Sequence, residues 1–380
     1  MNIGIDIRSL MNKNYSGVAE YTYNLLDNLF KLDSYNKYYL FYNSKQNITE
    51  NLPQFNYHHV KFKGYQYPNK LFNLSLKLFK YPKLDKLITN LDHFFIPNFN
   101  FSAFSKNFPI TCTVHDLSFE LFPEFFSTKR QLWHKIIKPT HILKSVKTII
   151  ADSHNTKNDL INLYQIKEDK IKVIYPGIDH NLYRKIEAND VKNKLIKEQY
   201  QLPDNFIFYL GTIEPRKNIT GLIKSFNLIK KNNKYSDLHL VIAGEKGWKY
   251  KQVFETAEKS PYTDQIKFIG YVKRQDKAYL YNLAEVFVFP SFYEGFGLPV
   301  LEAQACGTPV VSGLNSSLPE ILNDTCLLIK PDNINEISQS VLKILNSPKL
   351  KQDLITKGLI NSKNYSWLQT ARQTLGILTN

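Results

Sequence analysis

Two doubly wound α/β domains, each a parallel sheet covered by helices on both faces, are what this 380-residue sequence predicts. Three observations carry the expectation. Short apolar runs alternate with helical patterns through both halves of the chain. The alternation breaks at Tyr175-Pro176-Gly177-Ile178-Asp179 and restarts near residue 206. The loops richest in Gly, Pro and charge directly follow apolar runs, which is where open parallel sheets hold their ligands.

The elements follow in chain order. Residues 3–7 form a short apolar run, followed by a polar loop to Gly17 and a helical pattern over 19–29. Further strands are expected at 38–42, 94–96, 110–114, 148–150 and 171–174. A charged, poorly apolar stretch then reaches about residue 204. The second series begins with a strand at 206–210, a helix at 219–230 and a strand at 238–243. Strands at 266–269, 286–289 and 310–311 continue it, and 367–378 reads as one closing helix. The expected boundaries are 1–177 for the first domain, 178–365 for the second and 366–380 for the C-terminal helix. Two such units facing each other would form a deep cleft between them, the default ligand site.

Composition narrows the function. Hydrophobic residues make up 43% and charged residues 22%, too apolar for a disordered chain. No apolar run approaches the roughly 18 residues that a membrane-spanning helix needs. The start, Met1-Asn2-Ile3-Gly4-Ile5-Asp6-Ile7-Arg8, does not read as a signal peptide. Cys112, Cys306 and Cys326 are few and far apart, which argues against a disulfide framework or a cysteine zinc site and fits a reducing cytoplasm.

The net charge of +15 invites nucleic acid as a partner, but most lysines are dispersed and read as a solvated basic surface. One stretch is denser. Residues 55–90 hold Lys61, Lys63, Lys70, Lys77, Lys80, Lys83 and Lys86 against one acid, Asp85, interleaved with aromatic rings. Within it Leu71, Leu74 and Leu78 share a helical face, with Phe72 and Phe79 beside them and Lys70, Lys77 and Lys80 flanking. That combination suits an anionic lipid surface or a single-stranded nucleic acid. The alternative is a stripe packed into the core beneath solvated lysines.

The richest chemistry lies after the 286–289 run. There Glu294-Gly295-Phe296-Gly297-Leu298-Pro299-Val300-Leu301-Glu302 places two glycines in a turn and two carboxylates eight positions apart. Pro299 suits the first helical position and Gly307 the residue past the end, so a short helix over 299–306 is expected. The backbone N–H groups of Phe296, Gly297 and Leu298 at its start favour an anion. Carboxylates beside an anion site suit hydroxyls, such as the vicinal diols of a sugar or ribose. The bland reading makes Glu294 a helix cap and Glu302 a surface acid.

Arg216 and Lys217, in Gly211-Thr212-Ile213-Glu214-Pro215-Arg216-Lys217-Asn218, stand just past the 206–210 strand, where paired cations fit a diphosphate. His115-Asp116 follows the 110–114 strand, and Ser16-Gly17-Val18 lies in the first strand-to-helix loop. No Gly-x-Gly-x-x-Gly follows the first strand, and neither a P-loop, a His-Glu-x-x-His nor an Asp-x-Asp pair occurs. A diphosphate ligand without a metal must be neutralised by Arg, Lys and helix dipoles. No metal site and no cofactor is expected.

Together these segments resemble the retaining, GT-B fold glycosyltransferases of family four. Glu294 and Glu302 match the family's Glu-x7-Glu signature, and residues 211–218 match its phosphate motif. Val114-His115-Asp116 and Ile174-Tyr175-Pro176-Gly177-Ile178-Asp179 fall where the family has its first-domain His and its hinge. The resemblance runs from Ser16-Gly17 to Tyr365-Ser366-Trp367, with Leu368 where many members carry Glu.

The resemblance implies a first domain that binds the acceptor, a second that binds a nucleotide-sugar donor, and a last helix crossing back to the first. It implies that Arg216 and Lys217 hold the donor diphosphate, that Glu302 binds ribose hydroxyls and that Glu294 binds hydroxyls of the donor sugar. The backbone at Gly295, Phe296, Gly297 and Leu298 would hold sugar and phosphate. His115 would lie near the transferred sugar, Gly17 would close over the phosphates, and Tyr271 and Val272 would lie against the base. The catalytic set is thus Glu294, His115, Arg216 and Lys217.

The implied activity is a metal-independent hexosyl transfer, with GDP-mannose favoured, to a glycan or lipid-linked glycan in surface polysaccharide synthesis. The place is the cytoplasm, peripheral at the inner face of the cell membrane, with an anionic membrane surface as a further partner and no nucleic acid. A nucleotide-sugar epimerase of related fold leaves the Glu-x7-Glu block unused, and product analysis separates the two. A basic nucleic-acid-binding protein explains the charge but not Glu294 and Glu302. A steep salt dependence on DNA without turnover would favour it. A catalytically dead sugar-binding relative is disfavoured by the complete set of site residues.

Overall fold

The computed structural model describes residues 1–88 and 90–380. The chain divides into two compact units. The first comprises Met1–Leu117, Lys129–Gly177 and Ser366–Asn380, and the second Ser118–Thr128 and Ile178–Tyr365. Residues 118–128, expected within a continuous first domain of 1–177, therefore belong to the second unit. Their aromatic side chains explain why. Phe126 stacks on Trp248, Phe125 on Phe292, and Phe122 lies against Tyr293. The Trp248 indole N–H also donates to the Phe125 carbonyl at 2.6 Å.

The first unit carries a seven-stranded sheet. Its strands are β1 (Asn2–Asp6), β2 (Lys37–Asn43), β3 (Val60–Tyr65), β4 (His93–Ile96), β5 (Ile110–Val114), β6 (Thr148–Ala151) and β7 (Ile171–Val173). Their order is β3-β2-β1-β4-β5-β6-β7, and every pairing is parallel. The central strands are buried on both faces, with Ile3, Ile5, Phe94, Phe95 and Cys112 fully enclosed, which is why they read as continuous apolar runs. β3 escaped the sequence reading because it is an edge strand. Val60-Lys61-Phe62-Lys63 is mostly exposed, and its lysines protect an open edge.

The second unit carries β8 (Phe206–Leu210), β9 (His239–Ala243), β10 (Ile266–Gly270), β11 (Val286–Phe289), β12 (Val310–Gly313) and β13 (Leu327–Ile329). Their order, β10-β9-β8-β11-β12-β13, repeats the first unit's pattern, again wholly parallel. Both units are therefore Rossmann-like sheets whose strand order reverses beside the first strand.

The closing helix, Trp367–Thr379, packs in the first unit beside the helix Gly17–Leu32. Tyr21 of that first helix meets the edge of Trp367 at 5.7 Å, and Thr370 Oγ1 donates to the Tyr175 carbonyl at 2.8 Å. Gly177 is needed there because a Cβ would stand 2.0 Å from the Trp367 backbone nitrogen. Gly376, in the same helix, has nothing within 4 Å of such an atom.

These two glycines make a paired test. Gly177→Ala forces backbone apart and should cost roughly 1–3 kcal/mol, lowering the thermal midpoint by several degrees. Gly376→Ala should leave it unchanged or raise it, since alanine favours the helix by about 0.5–1 kcal/mol. Circular dichroism melts of both variants check this. A wild-type midpoint for Gly177→Ala would contradict the close approach.

Candidate active site

In the second unit, β8 and β11 are parallel neighbours at the point where strand order reverses. Register pairs Val286 with Ile207 and Phe287 with Phe208, so the loops leaving the two strands start side by side. Past β8 the chain forms a single 3-10 turn, Pro215–Lys217, that presents Arg216 and Lys217. Asn218 then adopts a left-handed conformation, φ 54, and caps the helix Ile219–Lys230 by accepting the Gly221 N–H at 3.2 Å.

Past β11 the loop containing Glu294 leads into the helix Leu298–Ala305, one residue earlier at each end than expected. Gly297 stands at its start with φ 106, where a side chain would be strained and would meet Leu318 at 2.7 Å. The Phe292 N–H donates to the Arg216 carbonyl at 2.8 Å and fixes one loop to the other.

The charges interlock. Lys217 Nζ lies 2.6 Å from Glu294 Oε1, and Arg216 lies 3.2 Å from Glu294 Oε2. Arg216 also holds Glu214 at 2.9 Å and donates to the Tyr293 carbonyl at 2.5 Å. All four charged side chains are largely buried. Burial alone would raise the Glu294 pKa, but Lys217 and Arg216 outweigh it and hold the carboxyl below the usual carboxylate value. Burial pushes Glu214 up and Lys217 down. Glu294 is therefore the ionised centre of the cluster.

Neither bland reading of the two acids fits. Glu294 does not cap the helix. Its N–H donates to Ser316 Oγ at 2.8 Å, and Ser317 Oγ donates to the carbonyls of Glu294 and Phe296. Glu302 is buried rather than a surface acid, and accepts from the Tyr281 hydroxyl at 2.8 Å. Gly295, Phe296 and Gly297 are buried in the loop and Leu298 is half-buried. Tyr271 and Val272 follow β10 at the same carboxyl edge, two strands from β8, with Tyr271 exposed and Val272 buried.

His115 and Gly17 belong to the first unit. Register between β5 and β6 pairs Val114 with Ala151, so the next residues, His115 and Asp152, emerge side by side. His115 Nδ1 lies 2.6 Å from Asp152 Oδ2, and the edge of Tyr21 closes over the imidazole at 4.7 Å. Burial would lower the His115 pKa, but Asp152, with Asp116 adding, holds it above the ordinary histidine value. Burial pushes the Asp152 carboxyl up against the pull of His115. Gly17 opens the first helix, is exposed, and a Cβ there would meet open space.

Sequence reasoning missed Asp152, Glu214, Tyr281, Ser316 and Ser317. The signal for Asp152 was available, as an acid directly after an apolar run in Ile149-Ile150-Ala151-Asp152. The serines carry no periodicity and are joined to Glu294 only by the fold.

Comparison with known proteins places these loops in context. Residues 15–182 match the family described as Glycosyltransferase Family 4, and residues 191–359 match Glycosyl transferases group 1. The O-antigen chain mannosyltransferase B of Escherichia coli is 32% identical over 265 residues, 69% of this chain and 68% of that protein. Among solved structures, sucrose-phosphate synthase from Thermosynechococcus elongatus superposes with a TM-score of 0.76 at 18% identity, covering 99% of this chain and 98% of that one. HepE of Anabaena, in complex with UDP-glucose, gives 0.73 at 17% identity, covering 100% and 99%.

The His115–Asp152 pair has a pH signature. A histidine whose folded pKa is raised stabilises the fold fully below its unfolded value of about 6.5, and that contribution fades as pH rises through the folded value. Asp152→Asn should therefore lower the His115 pKa and cost more stability at pH 5.5 than at pH 8. Imidazole titration by NMR, with denaturant melts at both pH values, checks this. An unchanged titration would contradict the coupling.

Proposed function

The chain belongs to the family 4 glycosyltransferases, and on that premise we propose that it is a retaining hexosyltransferase using a nucleoside-diphosphate sugar, with GDP-mannose the favoured donor. The acceptor in this reading is a hydroxyl of a glycan or lipid-linked glycan in surface polysaccharide synthesis. The observation that carries it is the buried Lys217–Glu294–Arg216 cluster at the carboxyl edge between β8 and β11, with a helix N-terminus beside it. The mannose preference is supported by the O-antigen mannosyltransferase relative and the Glu214-Pro215-Arg216-Lys217-Asn218 motif. The nucleotide-sugar class is supported by HepE, seen with UDP-glucose.

In this mechanism Arg216 and Lys217 take the donor diphosphate, assisted by the backbone of Gly295 to Leu298. Glu302, held by the Tyr281 hydroxyl, accepts from the ribose hydroxyls. Tyr271 and Val272 would border the base, and Gly17 would take the phosphate-closing role that the family resemblance implies. Glu294, kept ionised by its two cations, accepts hydrogen bonds from hydroxyls of the donor sugar. His115, which Asp152 orients at 2.6 Å, would take the role near the transferred sugar that the family resemblance implies.

The bond from the anomeric carbon to the diphosphate oxygen breaks first, and positive charge develops on the sugar. Charge on the leaving group meets the preset cations and helix dipole, an electrostatic contribution of several kcal/mol. The acceptor oxygen attacks from the face the leaving group vacates and passes its proton to the departing phosphate, so configuration is retained.

Glu294→Gln and Arg216→Ala should each lower turnover at least roughly tenfold in protein that still folds, though with lower stability, the effect on rate of losing about 1.4 kcal/mol in the transition state. Glu302→Ala should act mainly on donor affinity. Steady-state kinetics with circular dichroism controls test this. Wild-type kinetics for Glu294→Gln would remove the site assignment.

A further inference from the structure

The first unit exposes an apolar face that its own core leaves uncovered. The helix Asn69–Leu78 turns Phe72 and Leu76 inward. On its outer side Leu71 is 64% exposed, Leu74 49% and Leu78 58%, and the following Phe79 is 76% exposed. Leu71, Leu74 and Leu78 thus face solvent, so the alternative reading of a stripe packed into the core does not hold for them. Lys70, Lys77 and Lys80 border it and are themselves exposed. The one acid of the stretch, Asp85, is buried and accepts the Ser105 N–H at 2.8 Å, so it does not pair with the lysines of this face at the surface.

Beside the helix lies a cavity of about 730 Å³. Its walls are mixed, with Leu76, Phe104, Phe108 and Ile142 among the apolar residues. Five lysines, Lys77, Lys80, Lys83, Lys106 and Lys138, line it together with His141, and among the described residues no carboxylate does. Two of these lysines hold left-handed backbone conformations, Lys80 at φ 50 and Lys138 at φ 52, which side chains other than glycine rarely adopt. Phe101, another wall residue, makes a T-shaped contact with the exposed Trp133 at 6.3 Å.

We propose that this face docks on an anionic phospholipid bilayer, with the leucine stripe in the interface and the cavity holding the hydrocarbon of one lipid whose phosphate meets the surrounding lysines. The chemistry favours lipid over nucleic acid. The helix's outer side carries three leucines, which enter hydrocarbon but do not stack on bases, against one ring, Phe79, at its end, and its cationic border matches phosphate headgroups. About 730 Å³ is also the size of a site for a single small ligand. Attachment through lysines and headgroups is electrostatic and therefore weakens with salt.

Vesicle co-sedimentation tests this without any turnover, and so separately from the transferase reading. The full chain is spun with phosphatidylcholine vesicles, with and without phosphatidylglycerol, at low and high salt. Wild type should pellet only with the anionic vesicles, and less at high salt. Changing Lys70, Lys77 and Lys80 together to Glu should weaken binding at least roughly 100-fold. Changing Leu71, Leu74 and Leu78 together to Ser should also abolish pelleting. Circular dichroism of both triple variants controls for folding. The Lys106→Glu/Lys138→Glu double variant reads the cavity. Retained binding there overturns the lipid-in-cavity part and leaves the docking face standing. Equal recovery in the supernatant with both vesicle types overturns the whole proposal, as does binding of a single-stranded oligonucleotide, but not vesicles, through the same lysines.

Discussion

A parallel sheet makes its backbone hydrogen bonds only with every strand running the same way, so all carboxyl ends lie along one edge. Every candidate residue depends on that constraint. Arg216 and Glu294 are 78 positions apart in the chain, yet they meet because β8 and β11 are parallel neighbours. His115 and Asp152 meet because β5 and β6 are. Reversal of strand order beside β8 leaves space between two loops that would otherwise continue in the same direction. The sequence fills that space with charge.

Concentrating charge there has an energetic consequence. Two cations and two carboxylates, all largely buried, survive because each has partners at hydrogen-bond distance. Removing one partner from such a cluster typically costs about 3–5 kcal/mol, because the remaining charge is stranded. The cluster therefore constrains its own loops tightly. Ser316 and Ser317 hold the Glu294 loop from behind, and the Arg216 carbonyl receives the Phe292 N–H. A cluster fixed in this way rearranges little, which is what electrostatic preorganisation requires.

Much of this was legible in the sequence, for physical reasons. Central strands are buried on both faces and so announce themselves as apolar runs; 110–114, 206–210 and 286–289 fall where expected. Pro299 and the glycines around it locate the second loop and its helix to within one residue. What was hidden depends on tertiary partners. The edge strand β3 alternates lysine with apolar residues and lacks the continuous run. The 118–128 segment carries Phe122, Phe125 and Phe126, but only the fold shows that Trp248, Phe292 and Tyr293 receive them. The helix Asn69–Leu78 was visible as a stripe. Which side of it faced water was not, because apolar residues occupy both sides.

The claim that most needs measurement is that the Lys217–Glu294–Arg216 cluster serves transfer from a nucleotide sugar. The protein should be incubated with a panel of nucleotide sugars, including GDP-mannose and UDP-glucose, and a glycan acceptor. Released nucleoside diphosphate gives the rate, and proton NMR of the product gives the anomeric configuration. The expected result is consumption of one α-linked donor to give an α-linked product. An inverted product would contradict the proposed front-face attack. Absence of consumption across a panel that includes the natural donor and acceptor would contradict the assignment itself.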